Sequence, residues 1–285
     1  LPAACPAGTM EVRDNLGRLV TIRENPGRIV CLTPSLAEIC FSLGVGDKIV
    51  GATQWSDYPP EAEKIPRIGS YVSPNLEMIT ALSPDLVLAD RESNPDWSVE
   101  QLERAGLPVF VVWSRNFEEL EQNYITLGRV SGAQDQGLRL ARDFRERLES
   151  IRKRLAGSTT VPVLLVIQNR PVVSAGAGTL HHLLLETARA ENIAARASGR
   201  WPRLNPEAVV AAPPRVIVVT TMEKGAILEE MLDFWKKMPG IGERPDVRIE
   251  SIQSDLIDRP GPRLIRGLEK LFRLIHPEIP LGSDR

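Results

Sequence analysis

Asn75-Leu-Glu-Met-Ile-Thr-Ala-Leu-Ser-Pro-Asp-Leu-Val-Leu-Ala89 aligns without gaps on Asn205-Pro-Glu-Ala-Val-Val-Ala-Ala-Pro-Pro-Arg-Val-Ile-Val-Val219, at a constant offset of 130 residues. Each copy has the pattern of a short helix, a proline-containing turn and a buried strand. The repeat favours a chain of two similar halves, although four matches in fifteen positions also arise by chance. The identical positions are Asn75 and Asn205, Glu77 and Glu207, Ala81 and Ala211, and Pro84 and Pro214.

Apolar strand patterns alternate with helical patterns on both sides of the repeat. This alternation is typical of βαβ units and of a mostly parallel sheet in each half. A β-hairpin is predicted ahead of them, from Glu11 to Ile22, around a glycine-containing turn. The predicted strands are Arg28–Leu32, Ile49–Ala52, Leu86–Ala89, Val109–Trp113, Val163–Ile167, Val216–Thr220 and a weaker Val247–Ile252.

A long amphipathic helix is predicted between the halves, from about Gln134 to Leu155. Its apolar residues recur at steps of three and four, which is the helical period. The sequence therefore predicts an α/β protein of two Rossmann-like lobes, residues 10–130 and 158–277, joined by a helical segment at 131–157, with a ligand cleft between the lobes. An ordinary helix of one larger domain has the same periodicity and remains an alternative. The apolar positions are Ala141, Phe144, Leu148, Ile151 and Leu155.

Charge and hydropathy exclude several classes of partner. The formal net charge is −2, with 35 basic and 37 acidic residues spread along the chain, so no nucleic-acid partner is expected. The longest apolar runs fall far short of the roughly 20 residues that a membrane helix needs. They are interpreted as buried strands.

The three cysteines are too few for a disulfide framework and lack zinc-site spacing, so no metal site is expected. Cys31 and Cys40 lie in apolar surroundings and are predicted to be small buried side chains, with a disulfide between them as the less favoured alternative. The chain begins Leu1-Pro-Ala-Ala-Cys5, typical of a processed exported precursor. Cys5 is a candidate lipid anchor in a periplasmic or exported protein. Because Pro2 stands where that pattern has an aliphatic residue, a trimmed or unmodified terminus is the alternative.

Large aromatic residues follow the predicted strands. Ligands of open α/β sheets bind beyond the carboxyl ends of the strands, and rings in Gly- and Pro-flanked loops suit a planar or macrocyclic ligand. The repeat offset relates Tyr71 to Trp201, so the two rings are expected to face each other. A single tryptophan in such a loop is also a common lid over a core. The loop aromatics are Trp55, Tyr71, Trp97, Trp113 and Trp201.

Polar candidates follow the last predicted strand, where Asp255 and Arg259 stand four residues apart. A guanidinium group suits bidentate contacts with amide or carboxylate groups on a ligand rim. The alternative is a solvated ion pair with no role in binding.

Motifs of both halves occur together in the order of a known family. The chain resembles the cobalamin-binding proteins of vitamin uptake transporters, in the helical-backbone class of periplasmic substrate-binding proteins that also serves haem and ferric siderophores. The similarity extends from about Glu11 to Pro277. It is carried by Arg28-Ile-Val-Cys-Leu-Thr-Pro-Ser-Leu-Ala-Glu-Ile39, Val50-Gly-Ala-Thr-Gln-Trp-Ser-Asp-Tyr-Pro-Pro60, Asn75-Leu-Glu77, Ser83-Pro-Asp-Leu-Val87, Ala190-Glu-Asn-Ile193, Trp201-Pro202, Ser254-Asp255, Arg259 and Pro262-Arg263.

The resemblance implies a monomeric ABC-importer binding protein whose only small molecule is the transported corrinoid, not a resident cofactor. It implies that Glu77 and Glu191 dock against arginines of an inner-membrane permease. An acid in the first turn of a helix is also favoured by the helix dipole. The implied ligand contacts are Trp55, Tyr71, Trp201, Asp255 and Arg259.

Several positions depart from the family pattern. Asp90 replaces a pocket tryptophan, Val173 a pocket phenylalanine and Ala188 a cysteine, while Tyr71 stands where tryptophan is common. A less aromatic pocket keeps cobinamide or a siderophore open as the ligand.

Three other functions remain open. Haem would need an axial ligand, for which Tyr71 is the strong candidate. An α/β enzyme lacks a recognisable motif here, and the helix-borne pair His181 and His182 has no carboxylate at ligand spacing, so surface positions are expected. A docking protein without a small ligand would not need the loop aromatics.

Overall fold

The computed structural model describes residues 8–221 and 225–280. Contacts within the chain define two compact units, unit 1 (Leu1–Arg145) and unit 2 (Glu146–Arg285), so the boundary lies inside a long helix, Gln134–Arg154. The predicted lobe limits of 10–130, 131–157 and 158–277 remain predictions. Cys5 and its expected lipid anchor lie outside the described residues.

Unit 1 contains a four-stranded parallel sheet in the order β4-β3-β5-β6 and a separate antiparallel hairpin, β1-β2. Every residue of β3, β5 and β6 is buried, as expected for parallel strands covered on both faces. The strands are β1 (Thr9–Arg13), β2 (Leu19–Arg23), β3 (Ile29–Cys31), β4 (Ile49–Ala52), β5 (Leu86–Asp90) and β6 (Val109–Val112).

Three helices of unit 1 begin at recognisable side-chain caps. The side chains of Thr33, Asn75 and Asn116 accept hydrogen bonds from the first turns of α1, α2 and α4, which satisfies backbone donors that a helix leaves unpaired. The helices of unit 1 are α1 (Pro34–Ser42), α2 (Leu76–Ala81), α3 (Asp96–Arg104) and α4 (Phe117–Val130), and α5 (Gln134–Arg154) crosses the boundary between the units.

Unit 2 contains a mixed sheet in the order β10-β8-β7-β11-β12, with β9 also paired to β7. Strands β9, β7, β11 and β12 run parallel, whereas β8 and β10 are antiparallel additions. The elements are β7 (Val161–Asn169), β8 (Val172–Ser174), α6 (Leu180–Thr187), β9 (Ala190–Asn192), β10 (Arg203–Leu204), α7 (Pro206–Ala211), β11 (Val216–Thr221), α8 (Ala226–Lys236), β12 (Arg248–Gln253) and α9 (Leu264–Ile275).

The repeat is present in the structure at its predicted offset. Helices α2 and α7 begin 130 residues apart, and so do strands β5 and β11. Asn75 Oδ1 accepts from the amide of Met78 at 3.0 Å, and Asn205 Oδ1 accepts from the amide of Glu207 at 3.1 Å. The two-unit α/β fold with mostly parallel sheets and one long helix is therefore confirmed.

The predicted apolar stripe of α5 is buried along its length, from Ala141 to Ile151, and continues to Leu155 just beyond the helix. Cys31 and Cys40 are also buried, as expected, and are free thiols with Sγ atoms 3.9 Å apart. The hydrogen bond to Cys40 and burial together raise the pKa of Cys31 well above its usual range. Within the described ranges, no helix is both long and apolar enough to cross a bilayer.

Candidate ligand-binding site

Trp55 lies at the corner of a tight turn that follows β4. The amide of Ser56 donates to the carbonyl of Thr53 at 3.0 Å, and the hydroxyl groups of the same two residues are 3.0 Å apart. The Arg67 guanidinium donates to both carbonyls of this turn, at 3.1 and 2.8 Å. These hydrogen bonds fix the turn, while Trp55 is 49% exposed.

Tyr71 lies in the adjacent loop of unit 1. A backbone bridge between Gly69 and Pro74 closes this loop. Gly69 has φ +92° and a Cβ there would lie 2.9 Å from the Ser73 carbonyl, so the loop requires glycine at this position. The amide of Gln54 donates to the Gly69 carbonyl at 3.0 Å. The structure therefore brings the loops of Trp55 and Tyr71 together within unit 1.

Asn94 joins the Tyr71 loop to the end of the sheet, and no sequence pattern predicted a role for this residue. Its buried side chain donates to the carbonyls of Leu32 at 3.0 Å and Tyr71 at 2.9 Å, and accepts from the amide of Asp90 at 2.8 Å. A buried amide with three well-placed partners fixes the backbone that carries the ring. Only its partners far along the chain reveal this role.

Asp90 stands where the resemblance implies a pocket tryptophan, and it is a buried carboxyl group that organises its own loop. Its Oδ1 accepts from the amides of Glu92 at 3.1 Å and Ser93 at 3.0 Å. Burial raises the pKa of Asp90, against the opposing effect of these hydrogen bonds. The position contributes loop geometry instead of an aromatic surface.

Two of the loop aromatics have surroundings that the sequence did not predict. Trp97 was expected in a loop but is the second residue of α3. The helix begins directly after Pro95, which occupies the N-cap. Trp113 follows β6, and the Arg115 guanidinium lies 4.5 Å from its ring centroid. Neither residue belongs to the paired loops of Trp55 and Tyr71.

Trp201 lies in unit 2 in a loop that packs against the end of β8. The amide of Ser174 donates to the carbonyl of Pro202 at 3.1 Å, and that of Gly176 donates to Arg200 at 2.8 Å. A Cβ at Gly176 would lie 2.4 Å from the carbonyl of Gly199, so this close approach requires glycine. The loop is fixed on both sides, yet the Trp201 side chain is 51% exposed.

His181 supports the Trp201 ring, which corrects the expectation that this histidine is a surface residue without a carboxylate partner. The ring centroids of His181 and Trp201 are 5.5 Å apart with an interplanar angle of 74°, an edge-to-face contact. His181 Nε2 lies 2.7 Å from Asp258 Oδ1, and only 7% of the histidine side chain is exposed. The carboxylate comes from a residue 77 positions away, so helical spacing could not reveal it.

Asp255 and Arg259 form an ion pair at 2.9 Å in the segment that follows β12. Their side chains are 25% and 15% exposed, so the pair is largely shielded and is not the solvated pair that the sequence left open. Asp258 lies between them in sequence, and its contact with His181 brings Trp201, Asp255 and Arg259 to one region of unit 2.

The acidic candidates differ in their surroundings. Glu77 is exposed in the first turn of α2. Glu191 is half-buried on β9 and forms an ion pair with Arg196. Glu207, missed as a candidate, is exposed in the first turn of α7 and is the repeat counterpart of Glu77. The offset of 130 residues was the signal that identifies it.

Unit 1 therefore carries Trp55 and Tyr71 on adjacent hydrogen-bonded loops, and unit 2 carries the exposed Trp201 on another. Such rings can stack on a flat apolar surface, and the shielded ion pair of unit 2 can meet polar groups beside it. Residues 8–221 and 225–280 contain no group of three or more His, Cys, Asp or Glu side chains placed to hold a metal ion. Two α/β units joined by one helix, with aromatic side chains exposed on loops of this kind, are typical of a class of transport binding proteins.

Comparison with known proteins agrees with this class. The sequence profile of the periplasmic binding protein family matches residues 29–243. An uncharacterized ABC transporter substrate-binding lipoprotein of Bacillus subtilis is 32% identical over 91% of this chain and 83% of its own length. The vitamin B12-binding protein of Photorhabdus laumondii is 30% identical over 88% of each chain.

Solved structures show the same fold. The periplasmic vitamin B12 binding protein BtuF of Vibrio cholerae has a TM-score of 0.79 at 25% identity, over 89% of this chain and 98% of its own. A periplasmic heme binding protein from Pseudomonas aeruginosa has a TM-score of 0.78 at 27% identity, over 90% and 95% of the two chains.

The chain belongs to the periplasmic binding protein family. It is a substrate-binding protein of the kind that serves ABC importers, which confirms the class expected from the sequence.

Proposed function

We propose that this exported, monomeric protein captures a corrinoid, either cobalamin or a precursor such as cobinamide, and delivers it to an inner-membrane ABC permease without chemical change. The observation that carries the proposal is the exposure of Trp55 and Trp201, at 49% and 51%, on loops that hydrogen bonds hold rigid. Trp235, by contrast, is fully buried in the core of unit 2. The exposed parts of these rings leave apolar area in contact with water until a ligand lies on it.

The proposed ligand contacts are Trp55 and Tyr71 in unit 1, and Trp201, Asp255 and Arg259 in unit 2. The aromatic residues supply flat apolar area, and the guanidinium of Arg259 donates to amide or carbonyl groups at the ligand rim. Relatives named as vitamin B12-binding proteins support the choice of a corrinoid.

The test is a titration of the purified protein with cyanocobalamin, cobinamide, haem and ferric siderophores, followed by tryptophan quenching and visible spectra. Trp55→Ala and Trp201→Ala should each weaken corrinoid binding about tenfold, since an aromatic contact contributes roughly 0.5–1.5 kcal/mol beyond its area. Trp97→Ala is the matched control, because Trp97 is 45% exposed but lies outside the proposed set. Binding of a siderophore alone would reject the corrinoid.

Haem is the second candidate ligand, because solved haem-binding proteins share the fold at similar identity and Tyr71 can supply an axial oxygen. Tyr71→Phe separates the two ligands. If the ligand is a corrinoid, the ring remains and affinity should change little. If it is haem, the visible spectrum of the bound form should lose the bands of a tyrosine-ligated iron.

We also propose that acidic residues dock the protein to arginines of its permease. Glu77 and Glu207 are exposed at equivalent places in the two units, whereas Glu191 is engaged by Arg196. Glu77→Lys and Glu207→Lys should leave ligand affinity intact and abolish uptake. Glu191→Lys tests the alternative second contact.

Glu229→Lys is the matched control for docking, because Glu229 is an exposed acid in the first turn of another helix, α8. Uptake should survive this substitution. Loss of uptake with Glu191→Lys and not with Glu207→Lys would assign the second contact to Glu191. Equal loss of ligand binding and uptake in every variant would reject docking as the role of these acids.

A further inference from the structure

His181 and Asp258 form a pair in unit 2 that the proposed ligand contacts do not include. His181 is the second residue of α6, whose first turn is capped by the hydroxyl of Thr179, which accepts from the amide of His182 at 3.1 Å. The same Thr179 hydroxyl donates to the carbonyl of Gly176 at 2.8 Å. The position of the imidazole is therefore tied to the glycine against which the Trp201 loop packs.

Of the two ring nitrogens of His181, Nε2 has a hydrogen-bond partner and Nδ1 has none among the described residues. Because a carboxylate accepts, Nε2 carries the proton that is shared with Asp258 at 2.7 Å. Nδ1 is buried and has no hydrogen-bond partner among the described residues. A buried polar atom without a partner costs free energy, so among the described residues the contact with Asp258 is the hydrogen bond that fixes the ring orientation.

Asp258 also belongs to the segment that carries the ion pair. Its amide donates to the Ser254 carbonyl at 2.8 Å, which places Asp255 inside this turn and Arg259 directly after it. The contact between His181 and Asp258 thus links the Trp201 ring to the ion pair through two side chains.

We propose that His181 and Asp258 are positioning residues that hold the Trp201 ring and the Asp255–Arg259 ion pair in one fixed arrangement. The proposal rests on the proposed function in so far as these groups contact the ligand. A ligand that stacks on Trp201 then meets the guanidinium of Arg259 at a set distance, which selects planar ligands whose polar groups lie at the edge of the ring system. Neither positioning residue needs to touch the ligand.

The experiment observes Trp201 directly in the ligand-free protein. The chain contains five tryptophans, so 5-fluorotryptophan labelling gives five ¹⁹F resonances, and Trp201→Phe assigns one of them. Asp258→Ala and His181→Gln should each shift the Trp201 resonance and leave that of buried Trp235 in place. In the His181→Gln background, Asp258→Ala should cause no further shift, because the effect passes through the imidazole.

Ligand binding is then measured with cyanocobalamin. Asp258→Ala should weaken it about three- to tenfold, the range expected when one aromatic contact is misplaced. His182→Gln is the matched control: its side chain is on the next residue, is 18% exposed and lies near Glu186 and Asn192, so both readouts should stay unchanged. His181→Phe keeps a buried ring without the hydrogen bond and guards against loss of folding in His181→Gln.

The outcomes separate the two proposals. An unchanged Trp201 resonance in Asp258→Ala overturns the positioning role, whatever the ligand. If the Trp201 resonance shifts in Asp258→Ala but the unsubstituted protein binds no corrinoid, the positioning role is supported and the proposed ligand is rejected. A shifted resonance with unchanged cyanocobalamin affinity overturns the link to binding.

Discussion

The two units carry the same repeated helix, turn and strand, but they hold their exposed aromatic residues by different means. In unit 1, the side chains of Arg67 and Asn94 bind backbone carbonyls of the loops that carry Trp55 and Tyr71. In unit 2, a side chain, His181, contacts the Trp201 ring itself. Hydrogen bonds to the backbone of a loop do not depend on which side chain the loop carries. A contact with the ring itself does depend on it. Tyrosine at position 71 is therefore a smaller change to the protein than tyrosine at position 201 would be.

The largest expected effect is a loss of stability when the hydrogen bonds of Asn94 in unit 1 are removed. Asn94→Ala removes three hydrogen bonds from a buried site and leaves the carbonyls of Leu32 and Tyr71 without this donor. We expect the free energy of unfolding to fall by about 2–4 kcal/mol, since each unsatisfied buried group costs roughly 1–3 kcal/mol. Urea unfolding measures the change.

Asn94→Asp sharpens this prediction, because it keeps the acceptor for the amide of Asp90 and loses both donors. It should be destabilised at least as much as Asn94→Ala, because it buries a carboxylate against two carbonyl oxygens, and it should lose ligand affinity through the Tyr71 loop. Full stability of Asn94→Asp would contradict the assignment of the two donated bonds.

The next effect is on the backbone packing of unit 2. Gly176→Ala places a Cβ 2.4 Å from the Gly199 carbonyl, so the Trp201 loop must move. Overpacking of this kind costs about 1–3 kcal/mol, and ligand affinity should fall with it. Thermal or urea unfolding and ligand titration are the measurements.

Gly27→Ala in unit 1 is the control, because its Cβ would meet Asp85 at an ordinary 3.6 Å. Its free energy of unfolding should stay within about 0.5 kcal/mol of the natural protein. Equal stability of the two alanine variants would mean that the Trp201 loop does not depend on close approach at Gly176.

The smallest effect concerns the charge of Asp90. Because its pKa is raised on folding, the folded chain favours the protonated form, and stability rises as the pH falls through this raised pKa towards 3.8. Asp90→Asn keeps the acceptor and removes the charge. At pH 7 it should be as stable as the natural protein or more stable, by about 1 kcal/mol at most, and the difference should shrink in acid.

Urea unfolding at several pH values tests this, with Asp246→Asn in unit 2 as the opposite case. The hydrogen bond from Arg244 lowers the pKa of Asp246, so its contribution to stability is present at neutral pH and is lost as the pH falls. A difference for Asp90→Asn that widens in acid would show that its loop, not its charge, dominates.

Much of the fold was predictable because it follows from local patterns. The apolar runs at Val109 and Val216 became strands, and the stripe around Phe144 became the buried face of α5. Strands β8, β9 and β10 were missed, since each has only two or three residues and exists by pairing with a distant neighbour.

The candidate site divides in the same way. Trp55 and Trp201 were recognised as loop aromatics, because strand ends and turn residues mark such loops. The supporting roles of Asn94, His181 and Asp258 were not recognised, since hydrogen bonds between residues 62 and 77 positions apart leave no periodic pattern.

The sequence by itself determined the alternation of strands and helices, the repeat at an offset of 130 residues and the family, since periodicity, capping and turn chemistry act over a few neighbouring residues. Only the tertiary structure decided which buried polar side chains support the rings and that Glu191 has an arginine partner. Those contacts depend on how strands and loops far apart in the chain are brought within hydrogen-bond distance, which local patterns do not encode.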